Sequence, residues 1–172
     1  MYGIIATWRM ALEGISKADS MLKNNESAAN SIEEAIKAVE NFEYYKSVGY
    51  GGLPNEEMEV ELDAAFMDGD TLEFGCVGGF KDFANPVSIA RSLMHYDANN
   101  FLVGQGAEKY ASRHGFERKT MLTDRAKIHY HNRIKEITNT ELKPYSGHDT
   151  VGMVCLDTAG HMTCATSTSG LF

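Results

Sequence analysis

Gly147-His148-Asp149-Thr150-Val151-Gly152-Met153-Val154-Cys155-Leu156 runs into Asp157-Thr158-Ala159-Gly160 and then into His161-Met162-Thr163-Cys164-Ala165-Thr166-Ser167-Thr168-Ser169-Gly170. Thr150 to Leu156 alternates as a strand, Asp157 to Gly160 is a turn, and His161 to Thr168 is a returning strand. A turn centred on residues 158 to 160 places positions 167 to 169 opposite Thr150. Whether Thr168 or a neighbour points the same way as Thr150 depends on a register uncertain by about one residue. Four hydroxyls and a glycine at a strand end, Thr166 to Gly170, suit a polar pocket better than a core.

Upstream, a second pair of apolar runs, Glu61 to Met67 and Leu72 to Phe80, flanks Asp68-Gly69-Asp70 and reads as another hairpin. Gly75, Gly78 and Gly79 in its second arm predict a layer packed very close. No Lys-Ser/Thr or helix start follows them, so they do not form a phosphate loop. Ile4 to Thr7 is a short β-branched strand. Helical periodicity follows over Met10 to Lys23, after Pro86, from Ala107 to His114 and from Asp124 to Ile137. The last of these gives way to a polar linker ending at Pro144. Ser31 with Glu34 forms a capping-box pattern that opens a further amphipathic run with Ile32, Ala35, Ile36, Val39 and Phe42. Ser47 to Asn55, with three glycines and a proline, is a loop. Strands in hairpins with helices between them predict an α+β domain with an antiparallel sheet, rather than a parallel βαβ array.

Composition bounds the function. The 172 residues make one domain, and 16 Lys+Arg against 24 Asp+Glu give a net charge of −8. That balance disfavours a nucleic-acid or anionic-membrane partner, since both require a basic face. Three cysteines do not make a disulfide framework and point to a reducing compartment, the cytoplasm. The start, Met1 to Arg9, is not a signal peptide, and no apolar run approaches the ~20 residues that span a bilayer.

Asp149-Thr150 is the chemically informative pair; the plain alternative is a polar turn entering a strand. A threonine hydroxyl is a weak nucleophile until a base takes its proton, and an N-terminal threonine carries such a base in its own α-amine. An α-amine titrates at ~7.7–8, close to neutral pH. Thr150 is internal, so this chemistry requires the Asp149–Thr150 bond to be cut first. Thr150 can attack the Asp149 carbonyl, shifting the amide to an ester that water hydrolyses, with Asp149 as local base. His129 and His131 are a surface pair on a helical run, with no zinc-site partners. Cys155 and Cys164 are small apolar core residues. Glu56, Glu57, Glu59 and Glu61 make a solvated acidic loop that modulates access.

Ala6-Thr7-Trp8, Gly51-Gly52-Leu53-Pro54-Asn55, Leu62 to Gly69, Asn85-Pro86-Val87-Ser88-Ile89-Ala90-Arg91 and His148 to Met153 together resemble the glycosylasparaginase (aspartylglucosaminidase) family of N-terminal-nucleophile hydrolases. The resemblance implies an αββα four-layer sandwich. It also implies autoproteolysis at Asp149–Thr150, involving His148, Asp149 and Thr150, and hydrolysis of an asparagine side-chain amide. By position Thr150 matches the nucleophile, Asp149 the processing base, Thr168 a hydroxyl contacting the nucleophile's amine, and Trp8 a wall of the substrate pocket. The implied substrate is a small amino acid or glycosylasparagine, with asparagine or β-aspartyl peptides as alternatives and no metal or organic cofactor. Residues 1–149 match an α-subunit-like segment and 150–172 the start of a β-subunit-like one, in an (αβ)2 homo-oligomer.

Family members continue with an Arg-Val-Gly-Asp segment that grips the substrate and a Thr-Gly pair that supplies the oxyanion hole; neither occurs in these 172 residues. The expectation is the first part of an enzyme, completed by a complementing C-terminal chain. The competing expectation is an inert precursor fragment.

Overall fold

The computed structural model describes residues 1–140 and 150–170. The linker ending at Pro144, with His148 and Asp149, lies outside them.

One mixed sheet organises the chain. Its strands are β1 (Gly3–Ala6), β2 (Leu62–Asp68), β3 (Phe74–Phe80), β4 (Phe101–Val103), β5 (Val151–Leu156) and β6 (Met162–Thr168), in the spatial order β1-β5-β6-β2-β3-β4. All pairs are antiparallel except β3 with β4. The antiparallel expectation therefore fails at this edge. Between β3 and β4 the chain passes through α3 (Pro86–Leu93), a βαβ crossover, and β4 pairs over only three residues. So short a strand carries no periodicity of its own.

The remaining helices are α1 (Leu12–Lys23), α2 (Ala28–Glu40), α4 (Gly104–Arg113) and α5 (Asp124–Thr140), with a single 3-10 turn at Arg9–Ala11. Strand alternation sends Leu62, Ala64 and Phe66 of β2, Val151, Met153 and Cys155 of β5, and Ala165 of β6 to one face. There they meet Leu22, Ile32, Ile36, Val39, Ile89 and Leu93 from the helices. Each such large side chain contributes about 1.5–3 kcal/mol by leaving water. α2 lies over β5 and β6, and α3 over β2 and β3. Gly75 is the point of closest approach: a Cβ there would stand 2.0 Å from the Ala90 carbonyl oxygen of α3. The expected close layer is thus real at Gly75, whereas Gly79 has open space beside it.

α2 starts earlier than the Ser31–Glu34 pattern predicts. Ser27 is the N-cap, its hydroxyl accepting from Asn30 N–H at 3.2 Å. The Ala28 N–H donates to the carboxylate of Asp157, in the β5–β6 turn, at 3.0 Å. Ser31 lies within the helix, fully buried. A cap supplied by a side chain 129 residues away leaves no local mark.

The other face of the sheet is open. Ile5, Ala65, Met67, Phe74, Cys76, Val154 and Cys164 line a shallow apolar hollow of about 610 Å3. Ile5 on this face is 71% exposed. The three cysteines are free, and among the described residues no helix is long and apolar enough to cross a membrane.

Candidate active site

The β5–β6 hairpin brings the two threonines together. Val151 pairs with Ser167, so the same register carried one residue further sets Thr150 opposite Thr168. Val151 and Ser167 face the helices, and alternation therefore directs Thr150 and Thr168 to the open face. Thr150 is exposed and Thr168 half-buried.

β1 flanks this end from the other side. The Thr7 N–H donates to the Gly152 carbonyl at 2.9 Å, extending the β1–β5 ladder by one residue. Its hydroxyl accepts from Gly152 N–H at 2.8 Å and donates to the Thr150 carbonyl at 3.0 Å. Thr7 thereby fixes the backbone of Thr150. Trp8 follows at φ 63 and ψ 149, half exposed at 50%. That region of backbone space is nearly reserved for glycine and costs a bulky residue on the order of 1–3 kcal/mol. Trp8 directly follows the residue that clamps Thr150.

Thr168 has its hydroxyl held by the loop that follows α2. Its Oγ1 donates to the Ser47 carbonyl at 3.1 Å and accepts from Gly170 N–H at 3.2 Å. Ser169 N–H donates to the same Ser47 carbonyl at 2.7 Å. One lone pair of Thr168 Oγ1 remains for a further donor. The loop turns sharply at Gly49, where φ is +67 and a Cβ would fall 2.4 Å from the Glu40 carbonyl oxygen.

The four hydroxyls do not form one pocket. Thr166 Oγ1 donates to the Val151 carbonyl at 2.9 Å across the hairpin. Ser167 and Ser169 are buried, away from Thr150's face. The polar crevice lies instead beside Thr168, about 130 Å3 in volume, with Asn55, Glu59, Glu61, Asp63 and Ser169 among its walls. Asp63 sits at the register shift in β2, pairs with Thr168 and accepts Gly79 N–H at 2.9 Å. Two of the acidic-loop residues thus reach the site end of the sheet, although Glu59 is paired with Lys81 at 2.7 Å.

Cys155 is inert here, its thiol pushed up to about 11 by burial and then by the charge of Asp157. His129 and His131 both lie on α5, where residues two apart diverge. Among the described residues no group of His, Cys, Asp and Glu is arranged to hold a metal. The roles of Thr7 and Ser47 carry no signal in the sequence. A hydroxyl whose partner is 143 residues distant, and a carbonyl, give no pattern to read.

A family described as Asparaginase (Asparaginase_2) matches residues 6–172. The chain is 32% identical over 168 residues to an N(4)-(Beta-N-acetylglucosaminyl)-L-asparaginase of Elizabethkingia miricola, covering 98% of this chain and 49% of that protein. It is 36% identical over 166 residues to an Isoaspartyl peptidase/L-asparaginase of Rattus norvegicus, covering 92% and 50%. With the corresponding Mus musculus protein it shares 36% over 168 residues, covering 92% and 51%. The chain spans about half the length of the curated relatives it matches.

Proposed function

From the premise that the chain belongs to the Asparaginase_2 family, we propose that it carries the nucleophile-bearing part of an amidohydrolase that releases aspartate from the side-chain amide of a glycosylated asparagine. One observation carries this reading: the β5–β6 register sets Thr150 opposite Thr168 at the sheet end where Thr7 holds the Thr150 carbonyl.

Thr150 Oγ1 attacks the Asp149 carbonyl carbon while Asp149 takes the hydroxyl proton. The peptide nitrogen leaves with that proton as the Thr150 α-amine, an ester joins Thr150 Oγ1 to the Asp149 carbonyl carbon, and water hydrolyses the ester to the Asp149 carboxylate and the free Thr150 hydroxyl. That amine then serves as the base for turnover. It accepts the Oγ1 proton as Oγ1 attacks the substrate amide carbon, and returns it to the departing nitrogen. The β-aspartyl ester that remains is hydrolysed to aspartate. The free lone pair of Thr168 Oγ1 is suited to accept from the α-ammonium, and Trp8 to wall the pocket.

The open apolar face of the sheet supports the four-layer αββα arrangement, since a second sheet laid on it would bury Ile5, Met67, Phe74 and Val154. The substrate-anchoring and oxyanion groups belong, on this reading, to a complementing C-terminal segment, and the assembly is (αβ)2. Free cysteines favour the cytoplasm as its location. A second reading, an asparaginase or β-aspartyl peptidase, is favoured by the 36% identity to the Isoaspartyl peptidase/L-asparaginase of Rattus norvegicus. The two differ only in the leaving group.

Expression followed by mass measurement tests the nucleophile. Cleavage gives residues 1–149 and 150–172 in place of the 19.0 kDa chain. Thr150→Ala should abolish it and Thr150→Cys retain part; equal cleavage in Thr150→Ala sinks the mechanism.

A further inference from the structure

The loop between α2 and β2 holds Thr168 through one atom. The Ser47 carbonyl oxygen accepts from Thr168 Oγ1 at 3.1 Å and from Ser169 N–H at 2.7 Å. Where that oxygen stands depends on what fixes the loop, and part of the answer is local. Tyr50 N–H donates to the Glu40 carbonyl at 2.8 Å, Leu53 N–H donates to the Lys46 carbonyl at 2.7 Å, and Val48 is fully buried. The rest comes from a segment far along the chain.

Residues 119–125, the approach to α5 and its first turn, meet the loop on both sides of Ser47. On the C-terminal side the Lys119 ammonium lies over the Tyr50 ring, 3.9 Å from its centroid, and Gly51 N–H donates to the Met121 carbonyl at 2.9 Å. On the N-terminal side the Arg125 guanidinium lies 4.6 Å from the centroid of the Tyr44 ring, and its Nη1 donates to the Glu43 carbonyl at 3.4 Å. The segment has anchors of its own. Lys119 N–H donates to the Asp82 carbonyl at 3.1 Å, Met121 is buried, and Thr123 Oγ1 accepts Ala126 N–H at 3.2 Å at the start of α5. Lys119 and Arg125 are half-buried, so each cation attracts its ring more strongly than it would in open water. A single backbone bond to the segment leaves the loop able to rotate about it. A cation on a ring at each side of Ser47 opposes that rotation.

We propose that Lys119 and Arg125 are positioning residues for Thr168: by gripping Tyr50 and Tyr44 they hold the Ser47 carbonyl where it meets the Thr168 hydroxyl and the Ser169 amide. The consequence is the aim of the Thr168 lone pair left for a further donor. The assignment rests on the site reading above only for that consequence; the coupling itself is a property of the fold.

The test is amide hydrogen exchange of the 172-residue chain by NMR, with the Thr168 methyl shift recorded alongside. Lys119→Met and Arg125→Met keep an aliphatic stem and remove the charge. Each should lower the protection of the Ser169 amide by about 2- to 5-fold, and each should move the Thr168 methyl. In the double variant the two losses should multiply. Lys119→Arg, which returns a cation to the Tyr50 ring, should restore both signals. Tyr50→Leu should reproduce the Lys119→Met loss, and adding Lys119→Met to it should cost nothing more. The Gly69 amide, bonded to the Met162 carbonyl at the far end of β6, should keep its protection throughout. Equal losses at Ser169 and Gly69 would show a general loss of stability and overturn the proposal. An unchanged Ser169 amide and Thr168 methyl in the double variant would overturn it as well. None of these readouts needs Thr150 to cleave anything, so the fate of the nucleophile reading is judged separately.

Discussion

The Thr7 hydroxyl takes the amide of Gly152 at 2.8 Å and gives its proton to the carbonyl of Thr150 at 3.0 Å, so β1 holds both neighbours of Val151. A single side chain sets where the proposed nucleophile begins. Thr7→Val keeps the shape and removes both bonds. At roughly 0.5–1.5 kcal/mol for each of the two bonds, cleavage before Thr150 should slow by about 5- to 150-fold, and Thr7→Ser should recover most of the rate. Time courses on gels of the three proteins check this; an unchanged rate in Thr7→Val would remove Thr7 from the site.

Asp157 joins the hairpin turn to the start of α2. Burial works against its ionisation, yet the amides of Ala28, His161 and Ala159 together hold its carboxyl below the usual range. A carboxyl depressed in the folded state adds stability above its unfolded value of ~3.9 and forfeits it as pH falls through the lower, folded value. Asp157→Ala should cost about 1–3 kcal/mol in urea unfolding at pH 7. It should also flatten the acid limb of the stability curve below ~4. A variant that keeps the native acid limb would contradict the assignment.

Gly75 has no room for a methyl group. With Ala90 O only 2.0 Å from the added Cβ and Met94 N at 2.8 Å, Gly75→Ala must push α3 from β3, at a cost of about 1–3 kcal/mol. Gly79→Ala is the contrast, since its strain is purely conformational, at φ +56. Unfolding midpoints of the two variants measure the difference, and a Gly75→Ala protein as stable as the parent would refute the packing.

Residues 1–172 alone should release negligible aspartate from aspartylglucosamine. Losing even one oxyanion donor costs ~10²–10³ in rate, and among the described residues no such donor is assigned at the Thr150 end of the sheet. Supplying the complementing segment as a separate polypeptide should restore turnover. Robust, Thr150-dependent turnover by the chain alone would show that the binding groups lie within it.

What the sequence made legible was local. The Asp157–Gly160 turn narrowed the partner of Thr150 to positions 167 to 169, because turn length and pleat alternation together leave few choices, and the Val151–Ser167 pairing selects Thr168 among them. Pro86 marked the start of α3 for a similar reason. Some of the misreadings involve distant partners. Ser31 looked like a cap because the true start of α2 depends partly on Asp157. β4 was invisible because three residues pairing in parallel carry no pattern. Ser167 stands between Thr166 and Thr168 in the polar run, yet the pleat sends it to the opposite, buried layer. Trp8 stands out in the sequence as the single tryptophan, but its positive φ leaves no mark there.

The place of β5 and β6 in the sheet bears on what a break before Thr150 would do. The hairpin is central, with β1 bonded along one side and β2 along the other, and its far turn is pinned to α2 by Asp157. Severing the backbone ahead of it would leave a 23-residue peptide threaded between strands of its parent, held by two ladders and a buried carboxylate. The two pieces would migrate as one particle in gel filtration and part only under denaturant. Excision would thus create a new amino terminus without creating a new molecule.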